Sequence, residues 1–159
     1  MGRQWFNLTF RQAGELVSGV KQAAPALEAF LDAELKRHNL GPRALALVGF
    51  SQGTMMALGV GLKRTPAPAA IVGYSGALAT VEALPQDPAS APAVLLVHGD
   101  MDQVIPVDAM FIAREQLARA GLAVEWHLAQ GVGHGIDPQG LRLGGAFLRQ
   151  AFATAQAVQ

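Results

Sequence analysis

Three residues in this chain have the types and the order that acyl-transfer chemistry needs. Ser51 stands at the centre of Gly49-Phe50-Ser51-Gln52-Gly53, a G-x-S-x-G run reached from the apolar stretch LALV. Asp100 and Asp102 follow the apolar stretch AVLLVHG, and His134 lies between Gly133 and Gly135, just after VEWHLAQGV. A hydroxyl is too weak a nucleophile to attack alone. An imidazole can take its proton near neutral pH, and a carboxylate can fix the imidazole's tautomer and stabilise its cation. Taken singly, each residue has a plainer reading. Ser51 fits any tight turn, Asp102 fits an Asx-turn before Pro106 or a cap near Val107, and His134 fits a surface loop. Together, in the chain order Ser, Asp, His, they match the order of a nucleophile-elbow hydrolase. Residue types alone do not separate Asp100 from Asp102.

Positioning three such groups requires elements that end together. The segment from Phe10 to about Asn39 carries Leu16, Val20, Leu27, Phe30, Leu31 and Leu35 at largely helical spacing, which predicts one long helix, or two if Pro25 breaks it. RALALVGF reads as a short strand, and QGTMMALGVGLKR after Ser51 as a helix whose basic last turn complements its dipole. AAIVGYSG, PAVLLVHGD and AVEWHL read as further strands. VDAMFIAREQLARAG reads as a helix closed by Gly121, and a final helix is expected from about Pro138 to Ala157. TVEALPQDPASAP (80–92) reads as a surface loop. Continuously apolar strands separated by helices predict an α/β fold with a mostly parallel sheet covered on both faces. In such sheets ligands bind beyond the carboxyl ends of the strands, which is where Ser51, the Asp pair and His134 fall.

Composition narrows the partners. The 159 residues suit a single domain, 1–159, and 51% hydrophobic against 15% charged residues excludes disorder. Twelve basic residues balance twelve acidic ones, so nothing favours nucleic acid or an anionic membrane; a small uncharged ester substrate is the natural expectation. The absence of cysteine removes disulfides and thiolate chemistry. His38, His98, His127 and His134 show no metal-ligand spacing, and no cofactor or metal is expected. GVGHGI lacks the last glycine of a dinucleotide fingerprint and follows a late strand. No apolar run could span a bilayer and no secretory leader is evident, so the expected location is cytoplasmic.

GFSQG, HGDMDQVIP and GVGHGI resemble the matching blocks of the carboxylesterase/phospholipase family of α/β-hydrolases, which includes the acyl-protein thioesterases. The resemblance extends from GRQWF near the start to the last helix. It implies Ser51 as nucleophile, Asp102 as the acid of the triad, His134 as the base, and an acyl site near Trp5 and Phe6. Packing against the core is the alternative for those two aromatics. The elbow itself supplies one oxyanion-hole donor, the backbone N–H of Gln52.

The family's early strands, and the loop whose backbone N–H completes the oxyanion hole, have no counterpart in this sequence. Loss of one such donor costs about 2.7–4 kcal/mol. Two expectations follow. The nucleophile strand becomes a bare apolar edge, predicting a homo-oligomer through that edge or a fragment of a longer parent. The alternative to a working esterase is a catalytically impaired fragment or binding module that keeps the triad residues.

Overall fold

The computed structural model describes residues 3–12, 14–79 and 90–157. Most of the 80–92 loop lies outside the described residues. Four strands, β1 (Ala46–Phe50), β2 (Ala70–Tyr74), β3 (Ala93–Gly99) and β4 (Val124–Ala129), pair in that order, every pair parallel. The register sets Phe50 beside Tyr74, Tyr74 beside Val97, and Gly99 beside Ala129. The carboxyl ends of all four strands therefore share one rim.

Alternation along the strands builds two apolar layers. Leu47, Ile71, Val94 and Leu96 face a core shared with α1 (Glu15–His38), α2 (Gln52–Gly61) and α3 (Asp108–Arg119). Ala70, Val72, Tyr74, Leu95 and Val97 face the opposite way, onto Phe147 of α4 (Pro138–Ala157). The expected α/β architecture, a parallel sheet with helices on both faces, is what the chain adopts.

Helix α2 is buried from Thr54 to Gly61, which explains a composition that is apolar on every side. It touches α1 where a side chain at Gly59 would collide with Val20. The expected basic last turn is a correction: α2 ends at Gly61, ahead of Lys63 and Arg64. Arg64 Nη2 instead donates to Asp32 Oδ1 of α1 at 2.6 Å.

Pro25 does not break α1, which is one helix. The residue is exposed, as is Lys21, so the carbonyl deprived of its partner meets water rather than core. Phe30, expected on the apolar face, is 58% exposed; Gly19, Val20, Ala23 and Leu31 are the buried positions. The helix stops at Asn39, whose positive φ turns the chain so that the Leu40 N–H donates back to the Leu35 carbonyl at 2.9 Å.

Ahead of α1, residues 3–12 run as a strap. Glu15 anchors one end by accepting the N–H groups of Thr9 and Phe10 and the Thr9 hydroxyl at 2.6–2.9 Å. These hydrogen bonds, that from the Thr9 hydroxyl foremost, hold the Glu15 carboxyl below its ordinary pKa. Phe6 closes the strap onto the core, its ring filling the space left by Gly19.

Candidate active site

Ser51 occupies the single residue between β1 and α2, with φ 54° and ψ −117°, a backbone conformation that L side chains rarely adopt. Its surroundings enforce it. The Ser51 N–H donates to the Tyr74 carbonyl at 2.9 Å, and its carbonyl accepts from the Thr54 and Met55 amides at 3.0 and 3.3 Å. The buried Thr54 hydroxyl lies 2.9 Å from the Gly49 carbonyl and 2.8 Å from that of Tyr74, pinning the ends of β1 and β2 to the first turn of α2. A Cβ at Gly49 would collide with the backbone of Gly53, so glycine is required there for strand and helix to meet this closely. At Gly53 a Cβ would meet nothing within 4 Å. Of the two glycines of the motif, close approach thus requires Gly49 alone.

A serine at a helix N-cap ordinarily uses its oxygen to cap the first turn. Ser51 makes no such bond, and among the described residues its Oγ has no hydrogen-bond partner. The hydroxyl is left at the rim of the sheet.

The two aspartates after β3 separate cleanly. Asp100 Oδ1 accepts the Gly131 N–H at 2.7 Å and so serves the loop after β4. Asp102 Oδ2 lies 2.8 Å from His134 Nδ1, while its Oδ1 accepts the N–H groups of Val104 and Ile105, both at 2.9 Å. Burial of the Asp102 carboxylate opposes its ionisation. The hydrogen bonds from His134, Ile105 and Val104, with the charge of His134, outweigh that and leave it below its ordinary pKa. A carboxylate accepting at Nδ1 requires the proton on that nitrogen, leaving Nε2 of a neutral His134 as the basic atom.

Close packing holds this loop in place. A Cβ at Gly99 would collide with the Val132 carbonyl, and the Met101 N–H donates to the same oxygen at 3.0 Å. Two residues that pattern reading missed bring His134 toward the elbow. The Phe50 ring, next in sequence to Ser51, packs on the His134 imidazole with centroids 4.8 Å apart. Ser75, at φ 47° after β2 and 1% exposed, donates its hydroxyl to the Gly135 carbonyl at 3.2 Å and its N–H to Val97. Phe50 lies inside the motif and could have been marked by its place beside the serine. Ser75 carried no signal, since its partner is 60 residues away.

Gln52 begins α2, where a backbone N–H has no acceptor within the helix. Its side chain spans the strap: Oε1 accepts the Trp5 N–H at 3.0 Å and Nε2 donates to the Phe6 carbonyl at 2.9 Å. Trp5 is 47% exposed beside this clip. Phe6, at 7% exposure, packs its ring into the core beneath α1 and α2, the alternative weighed for it. Among the described residues no group of three or more His, Asp or Glu side chains could hold a metal, and no helix is long and apolar enough to cross a membrane.

A parallel sheet between helices, with a strained serine between strand and helix and a His–Asp pair on the same rim, defines the α/β-hydrolase class. Within it, the sequence profile of the phospholipase/carboxylesterase family matches residues 1–151, and the chain belongs to that family. It is 30% identical to the esterase YpfH of Escherichia coli over 142 residues, which cover 89% of this chain and 60% of that protein. It is 32% identical over 114 residues to acyl-protein thioesterase 1 of Gibberella zeae, covering 69% of this chain and 48% of that one. The crystal structure of esterase PE8 superposes with a TM-score of 0.85 at 39% identity, over 94% of this chain and 71% of that one. The chain thus spans about half to three-fifths of the length of these two curated relatives.

Proposed function

We propose that this chain is one α/β-hydrolase unit that cleaves carboxylic esters through an acyl-enzyme on Ser51. His134 Nε2 takes the Ser51 proton as Oγ bonds to the ester carbonyl carbon, then passes it to the departing alcohol as the C–O bond breaks. Water, deprotonated by the same nitrogen, attacks the acyl-serine and releases the acid, and the proton returns to Ser51. Asp102 holds the proton of His134 at Nδ1 and stabilises the imidazolium. The Gln52 N–H, at the positive end of α2, faces the developing oxyanion.

The observation that carries this reading is the 2.8 Å His134–Asp102 bond, with the His134 ring 4.8 Å from that of Phe50, the residue before the strained Ser51. The membership of the family, the likeness to esterases and the apolar, net-neutral composition favour short, uncharged acyl esters as substrates. The exposed face of Trp5 is the part of the strap that fits beside an acyl chain.

A second reading is a catalytically impaired module. It is favoured by a specific absence among the described residues: no hydrogen bond joins Ser51 Oγ to His134. Catalytic hydrogen bonds are often long before substrate binds, so this geometry does not decide against turnover.

Turnover of p-nitrophenyl acetate and butyrate by the purified chain, beside Ser51→Ala, separates the two. Serine-dependent turnover is expected, with stoichiometric fluorophosphonate labelling of Ser51. The rate should fall as pH is lowered and His134 becomes protonated. Folded protein that neither turns over nor labels would establish the impaired module, and a rate flat from about pH 5 to 9 would remove His134 as the base.

A further inference from the structure

Asp102 has a second imidazole beside it. The His98 side chain, on β3, is 1% exposed, and its Nε2 lies 2.8 Å from the Ile105 carbonyl oxygen and 3.2 Å from Asp102 Oδ2. Both neighbours are acceptors, so Nε2 carries a proton; a bare nitrogen there would confront two oxygen lone pairs. The same Oδ2 receives His134 Nδ1, and Oδ1 receives two backbone amides. Asp102 is thus shared between an imidazole that is 20% exposed at the rim and one sealed in the core.

We propose that His98 is a positioning residue for ester hydrolysis: its Nε2–H, held between the Ile105 carbonyl and Asp102 Oδ2, fixes the carboxylate and draws part of its charge away from His134. The proposal rests on the assignment of Ser51, His134 and Asp102 above. A buried carboxylate must have its oxygens satisfied, and each donor that binds it reduces what it offers the others. Without His98 the carboxylate would lean its charge on His134, which would then protonate more readily. Among the described residues, the helices packed beside His98 bring no charge to it. Thr54 and Leu58 of α2 and Met110 and Ala113 of α3, which line the small void beside His98, are uncharged, and Asp100 on the same loop is turned to the Gly131 amide.

His98→Leu removes the donor, whereas His98→Gln can place an amide N–H near the position of Nε2. Using p-nitrophenyl acetate, kcat and KM are measured across pH 5–9 together with thermal melts. For His98→Leu the expected result is kcat lower by about tenfold, KM within about twofold, and the acid limb of the rate profile displaced upward by about 0.5–1 pH unit. His98→Gln should return the limb toward its original position. A loss of kcat with an unmoved limb in folded His98→Leu would reduce His98 to packing and overturn the proposal. Should His98→Leu fail to fold, the ring nitrogens of the 15N-histidine-labelled wild-type chain decide the bond by NMR. A protonated His98 Nε2 whose signal moves in Asp102→Asn supports it, and a bare Nε2 overturns it. An inactive wild-type chain would overturn the catalytic part of the proposal along with the assignment beneath it, while the NMR result would still establish whether the bond exists.

Discussion

Asp102 joins the stability of the rim to its chemistry, because both of its oxygens are engaged and its side chain has no exposed surface. Replacing it by Asn keeps the shape and loses the charge. An amide cannot accept at both ends, so its NH2 must face either the Val104 and Ile105 amides or the His134 Nδ1–H, donor against donor. Ester turnover should fall by about 10⁴-fold, as expected when a base loses its orienting carboxylate. Stability should fall by about 1–3 kcal/mol near neutral pH, the scale for leaving a buried donor without its acceptor. The folded carboxyl has a lowered pKa, so its contribution is present above the unfolded carboxyl value and is lost as pH falls through the lower folded value. The gap between wild-type and Asp102→Asn melting temperatures should therefore narrow on the acid side, between about pH 5 and pH 3. Melting curves that run parallel from pH 8 to pH 3 would show that the carboxylate's ionisation does not stabilise the fold.

At the scale of elements, the strained serine is a consequence of how β1 delivers the chain into α2. Gly49 lets the strand end touch the first helical turn, and Thr54 ties that turn to two strand carbonyls. Gly49→Ala forces these backbones apart and should destabilise by about 1–3 kcal/mol, taking the elbow and ester turnover with it. Gly53→Ala, with open space at its Cβ, should be neutral or more stable by up to about 1 kcal/mol. Equal losses for the two variants in denaturant melts would contradict this division. The same junction shows what a pattern can and cannot reveal. G-x-S-x-G after LALV made the elbow legible because apolar run, glycine and serine are neighbours in sequence. Pro25 left one helix or two open, because its cost depends on whether the freed carbonyl meets solvent. The basic turn assigned to α2 failed because Lys63 and Arg64 read as helical by composition, whereas the chain had already left the helix and turned Arg64 toward Asp32. Ser75 stayed invisible for the opposite reason: its bond to the Gly135 carbonyl joins segments 60 residues apart, and no local spacing encodes it.

Across the whole molecule the two ends of the sheet are guarded differently. β4 carries Glu125 and His127, and its Trp126 is covered by the Arg114 guanidinium, 4.9 Å from the ring, and by the edge of Phe111. Charges and bulky cover of this kind discourage strand addition. β1, the other outer strand, reads ALVGF without a single charge. Its Val48 and Phe50 are 59% and 40% exposed on the same face. Among the described residues no strand pairs with its outer side, so it offers backbone groups and apolar side chains together, and a second copy of the chain presents the same requirement in return. Self-association through β1 is therefore expected, with a mass above that of one chain in light scattering and rising with concentration. Val48→Lys places a charge on this edge without touching Ser51, Asp102 or His134. It should shift the chain toward monomer while the melt stays within about 0.5 kcal/mol of wild type, the usual range for an exposed position. A wild-type chain that is already a monodisperse monomer, with a cooperative melt, would show that β1 is not a contact between copies. A mutant that associates as before would place the contact elsewhere.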